Sequence, residues 1–124
     1  GLKSEAGRNR IVPIHPAILE LVKKNYDQGQ AMHSDHLFND EFGQQGTFLT
    51  YDKYRGRFNK VMKRMNMNHK PHDTRHTFIT KAKAADMNEY ILKLIVGHAV
   101  EDITEKTYTH RTIEDLHREI QKIK

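Results

Sequence analysis

Apolar residues recur at three- and four-residue intervals in several stretches of this chain, which predicts a mainly helical fold. Ile18, Leu21, Val22 and Tyr26 share one face of a helix from Pro16 to about Asp27, with Pro16 in its first turn and Gly29 as its stop. Tyr51, Tyr54, Phe58, Val61, Met62 and Met65 mark a second helix, capped by Thr50. Pro71 precedes a third, about His72–Ala85, of small and polar residues. Asn88 caps a fourth, Glu89–Val96, which buries Ile91, Leu92, Leu94 and Ile95 and stops at Gly97. A short helix follows near Thr104–Thr109. Thr112 and Asp115 resemble the capping box of a last helix, Thr112–Lys122, whose stripe of Ile113, Leu116, Ile120 and Ile123 is narrow. It packs on its own domain or docks on a neighbouring subunit.

A little sheet is expected at the N-terminal end. Arg10–Ile14 is rich in β-branched residues, and Pro13 suits an edge or strand end. With the turn-like Ser4–Gly7 before it, this reads as the tip and second strand of a β-hairpin. Its first strand would precede Gly1. The polar stretch His33–Thr50 holds at most a short strand at His36–Phe38.

Composition narrows the class. At 124 residues and 36% hydrophobic, the chain fits one small domain with one modest core. It has no cysteine, which excludes a disulfide framework, a thiol nucleophile and a Cys-containing zinc site. The longest apolar run, Ile91–Val96, is interrupted by Lys93 and is too short to span a membrane, and Gly1–Arg10 lacks a signal-peptide pattern. A cytoplasmic domain is the expectation.

The net charge of +5 is unevenly placed. Between Lys53 and Lys83 lie ten basic residues and one acid, Asp73, so this stretch carries +9 and the remainder −4. Such a block is the electrostatic footprint of a nucleic-acid surface, or else a solvated basic face.

Nine histidines raise the question of metal. His69, His72 and His76 have a spacing that could meet at an ion, but there is no HExxH, and Lys70 and Arg75 would repel a cation. No metal and no cofactor are expected. P-loop, GxGxxG and GxSxG motifs are absent as well. A different set is more informative: His72-Asp73-Thr74-Arg75, Val96-Gly97-His98 and Thr107-Tyr108-Thr109-His110. His72 and Arg75, three apart near a helix start, suit two oxygens of a phosphate. Singly, each of these residues has an ordinary structural reading; the ordered set within a basic domain favours chemistry.

That set resembles the C-terminal part of the catalytic domain of tyrosine recombinases, the phage-integrase family. The family shows a His-x-x-Arg, a Gly-His and a nucleophilic tyrosine in this order, after a hairpin lysine that precedes an Arg-x-Val/Ile-Pro strand. Lys3, ahead of Arg10-Ile11-Val12-Pro13-Ile14, matches that lysine. The resemblance implies a DNA breaking-rejoining fold and site-specific recombination or integration of double-stranded DNA, in the style of a bacterial phage or mobile element. Tyr108 would form a 3′-phosphotyrosine, His72 help take its proton, Arg75 and His98 hold the phosphate, and Lys3 protonate the leaving 5′-oxygen. Arg55, Arg57, Lys60, Lys63 and Arg64 are expected on the DNA backbone. Partner subunits in a tetramer on DNA, engaged through Thr112–Lys122, and a nucleoid-associated location follow from the same resemblance.

The family's first arginine, in a Thr-Gly-x-Arg segment upstream, has no counterpart; Arg55-Gly56-Arg57 differs in form and in order. Residues 1–124 are therefore expected to be a truncated catalytic domain that lacks this arginine and the core-binding domain, and that is weakly active or inactive alone. Two other readings stay open: a non-catalytic DNA-binding module, in which Tyr108 only packs, and topoisomerase IB-type strand passage.

Overall fold

A computed structural model describes residues 7–40, 48–98 and 113–124. By contacts the chain divides into two compact units, Ala17–Thr74 and Gly1–Pro16 with Arg75–Lys124. Mainly helical structure is found, as the periodicity predicts.

In the first unit, a 3-10 turn at Pro16–Ile18 leads into helix α1, Leu19–Ala31. The helix runs through Gly29 instead of stopping there. Gly29 is buried, and a Cβ at this position would lie 3.0 Å from the His36 carbonyl oxygen and 3.1 Å from the Asn39 side-chain nitrogen. Its missing side chain thus admits the following loop rather than ending the helix. The end comes at His33, which takes a left-handed conformation (φ 56°), while the Ser34 N–H donates back to the Gly29 carbonyl at 2.9 Å. No strand forms at His36–Phe38. Among the described residues, pairing there is one antiparallel bridge between Asn39 and Phe48, with the His36 ring stacked on Phe48 at 4.4 Å.

Helix α2, Tyr51–Arg64, starts as expected at Thr50, whose hydroxyl oxygen accepts the Lys53 N–H at 3.3 Å. It closes at Asn66 (φ 56°), where the Met67 N–H reaches the Met62 carbonyl at 2.8 Å. Its predicted apolar face is mostly uncovered. Phe58 and Met62 are half-buried, whereas Tyr51, Tyr54, Val61 and Met65 are exposed.

Helix α3, Pro71–Ala84, has proline in its first turn. Its only acid, Asp73, accepts the Lys70 N–H at 2.8 Å, half of a capping box at the helix end where negative charge is favourable. The helix terminates at Asp86 (φ 60°), and Met87 turns into the core with its N–H on the Ala82 carbonyl.

The core lies in the second unit. Asn88 caps helix α4, Glu89–Val96, by accepting the Ile91 N–H at 3.0 Å. Ile91, Leu92, Ile95 and Val96 are buried there, and Leu94, expected with them, is half-buried. Helix α5, Ile113–Ile120, adds Leu116 and Ile120 to the same cluster as Ala82 and Met87. Its apolar stripe therefore packs on its own chain, with only Ile113 left exposed. Glu119 of α5 is 7% exposed and accepts the Asn88 N–H at 2.6 Å and the Lys122 ammonium at 3.0 Å.

The N-terminal hairpin is not seen among the described residues. Arg10–Ile14 forms no strand. A strand exists only through a partner's ladder of hydrogen bonds, and Pro13 has no N–H to offer. Ile11 and Val12 are exposed, and the segment is held instead by His15, whose Nε2 donates to the Ile123 carbonyl at 2.6 Å. The expected first strand, the short helix near Thr104–Thr109 and the Thr112 cap lie outside the described residues.

Candidate functional site

Three of the five residues of the ordered set are described. His72 lies in the first turn of α3 and is exposed; Arg75 follows one turn later and is half-buried. Among the described residues no hydrogen-bond or ion-pair partner meets the Arg75 guanidinium. A half-shielded arginine near a helix start, with its five donors uncommitted to a carboxylate, is suited to an external anion. The Thr74 hydroxyl donates to the Pro71 carbonyl at 2.6 Å, which keeps it on its own helix. Tyr108 and Lys3 lie outside the described residues.

His98 is placed by the end of α4. Gly97 adopts φ 77°, a left-handed geometry that ends the helix, and both the Gly97 and His98 N–H groups donate to the Lys93 carbonyl, at 2.9 and 3.0 Å. This closed turn leaves the His98 imidazole exposed. It borders a cavity of about 140 Å³ between α3 and α4, with Ile79, Leu92 and Val96 as apolar lining and Lys83, Lys93 and Glu89 as charged lining. Ile79 and Lys83 stand one and two turns beyond Arg75 on α3.

The basic block sorts into two kinds of residue. Asp40 is 5% exposed and its carboxylate takes both the Lys53 ammonium and, at 3.0 Å, the Arg57 guanidinium. Arg57 is thus committed to a buried acid, a structural duty that the sequence did not reveal. The ion pair spans 17 positions, beyond any local pattern. Arg55 approaches Asp52 at 3.7 Å and stands 6.0 Å from the Tyr51 ring centre. Lys60, Lys63 and Arg64 project from exposed positions of α2. Among the described residues no three His, Cys, Asp or Glu side chains converge as a metal site, and no helix is long and apolar enough to cross a membrane.

Comparison with known proteins gives this arrangement its class. The family model of the phage integrase family matches residues 2–115. The chain belongs to that family. It is 33% identical over 104 residues to the tyrosine recombinase XerA of Saccharolobus solfataricus. The match takes in 83% of this chain and 32% of that protein, so the chain spans about a third of its relative's length. No solved structure matches it significantly.

Proposed function

We propose that this chain supplies the C-terminal portion of the catalytic domain of a tyrosine recombinase, an enzyme that cuts and rejoins double-stranded DNA at a specific site. The observation that carries the reading is the order Lys3, His72, Arg75, His98, Tyr108 inside the family-matched region. It is supported by the half-buried Arg75 with no described partner and by the exposed His98 on its closed turn.

The chemistry follows from the residue types. The Tyr108 hydroxyl attacks the phosphorus, a bond forms between its oxygen and phosphorus, and the bond to the 5′-oxygen breaks. A tyrosine with a pKa of about 10 needs help to lose its proton. His72 takes it. Arg75 and His98 hold the non-bridging oxygens as negative charge builds. Lys3 gives a proton to the leaving 5′-oxygen. The 3′-phosphotyrosine conserves the phosphodiester's energy, so a 5′-hydroxyl of another strand reverses the step without ATP. Lys60, Lys63 and Arg64 add backbone contacts, and further subunits, a phage or mobile-element origin and the family's upstream arginine complete the reading.

The test is a nicked duplex of the attachment site offered to the whole protein. A covalent protein–DNA adduct is expected, and it disappears in Tyr108→Phe. An adduct that survives Tyr108→Phe, or none with the unaltered protein, overturns the reading. DNA binding that Lys60→Glu abolishes and Tyr108→Phe leaves intact, with no adduct at all, would point to a non-catalytic binding module.

A further inference from the structure

The left-handed turn that carries His98 is not free-standing. A Cβ built on Gly97 would lie 2.9 Å from the Gly7 Cα, 3.1 Å from Arg10 Nη1 and 3.3 Å from Arg10 Cδ. The Gly7 backbone and the Arg10 side chain therefore lie directly on the face of Gly97 where any other residue would carry its side chain. Arg10 is itself held, because its Nη1 donates to the Gly7 carbonyl at 3.1 Å. Gly7 is buried, and all of these groups belong to one compact unit.

We infer that Arg10 is a positioning residue: its side chain, clamped on the Gly7 carbonyl, backs the Gly97 turn and thereby fixes the direction of His98. The inference rests on the proposed role of His98 at the phosphate. Two observations lead to it. The Gly97 and His98 N–H groups both donate to the Lys93 carbonyl, which sets where the turn begins. The missing Cβ of Gly97 is filled by Arg10 and Gly7, so the packing there is close and specific. Such backing matters because small errors in donor placement cost large factors in rate.

The test has two readouts on the whole protein. The first is a double-mutant cycle on single-turnover cleavage of saturating nicked duplex. Arg10→Ala is expected to slow cleavage about tenfold with the DNA dissociation constant nearly unchanged. In a His98→Ala background the same change should add little, since the two act as a unit. Arg10→Lys keeps a stem over Gly97 and a donor, and should recover part of the rate. The second readout is amide hydrogen exchange, which does not depend on the recombinase reading. Arg10→Ala should lower protection at the His98 N–H about tenfold while Ile95 and Ile120 keep theirs. Penalties that multiply in the cycle would overturn the inference. So would unchanged protection at His98, or a loss of protection spread equally over α4 and α5. If the unaltered protein makes no adduct, the recombinase reading fails by itself and the exchange result still decides whether Arg10 positions the turn.

Discussion

Single side chains in this protein divide between those paired within the fold and those with no partner among the described residues. Glu119 belongs to the first kind. Burial pushes its carboxyl up, but the Asn88 N–H, the Lys122 ammonium and the Arg118 charge together hold it below the ordinary value of 4.5. Because the folded value is the lower one, the ionised form stabilises the protein fully above about pH 4.5, and that contribution is lost as pH falls through the folded value. Urea midpoints measured between pH 6 and pH 3 should therefore fall more steeply for the unaltered protein than for Glu119→Gln. Glu119→Ala at neutral pH should cost about 1–3 kcal/mol, because it strands the Asn88 N–H inside the protein. Equal pH slopes for the two proteins would refute this account. Arg75 is of the second kind. With no described partner to lose, Arg75→Ala should leave the melting temperature nearly unchanged. It should slow Tyr108 adduct formation by about 10²–10³, the usual cost of removing a donor to developing charge. A large drop in melting temperature would show instead that the guanidinium serves the fold.

At the scale of elements, α2 carries both charge paired with a buried acid and charge that faces outward. Lys53 and Arg57 answer the buried Asp40, while Lys60, Lys63 and Arg64 face outward. Each phosphate contact contributes about 0.9 to the slope of log affinity against log salt on duplex DNA. Lys60→Ala and Lys63→Ala should each lower that slope by about one while the melting temperature stays put. Arg57→Ala should do the reverse, leaving the slope and lowering stability. Salt titrations by fluorescence anisotropy distinguish the two, and an Arg57 slope change matching that of Lys60 would place Arg57 on DNA after all. The same helix shows what a sequence can and cannot declare. Thr50, Asn88 and Gly97 were legible because a cap or stop acts on the backbone within a few residues. Gly29 misled because a glycine that ends a helix and one that admits a loop look alike until the loop is seen. The α2 stripe correctly told which residues share a face, but periodicity says nothing about whether another element covers it. The Arg10–Ile14 strand and the Asp40 ion pairs depend on distant partners, and no local pattern carries that information. Within the candidate site, the motif order was legible and the Arg10 backing of Gly97 was not, for the same reason.

Across the whole molecule, burial is segregated between the two units. Every buried apolar side chain among the described residues belongs to the second unit, in Pro13, Ala82, Met87, α4 and α5. Among the described residues of Ala17–Thr74 the buried ones are Gly29, Ser34 and Asp40, whereas Leu19, Leu21, Tyr51, Val61 and Met65 are exposed. A helix in water is marginal without an apolar face packed against something. Local stability should therefore differ between the units even though both are helical. Amide exchange should be slowest at Ile91–Val96 and Leu116–Ile120 and at least about tenfold faster through α1 and α2, since fewer buried contacts must break for those amides to open. Charge makes the second half of the argument. A ligand that binds only the folded form stabilises it by mass action, most strongly where it touches. If Lys60, Lys63 and Arg64 hold phosphates, duplex DNA should slow exchange in α2 far more than in α4, and raising the salt should abolish the difference. Protection in α2 equal to that of α4 without DNA would mean that its exposed face is covered in solution. Protection unmoved by DNA would mean that the basic block is only a solvated face.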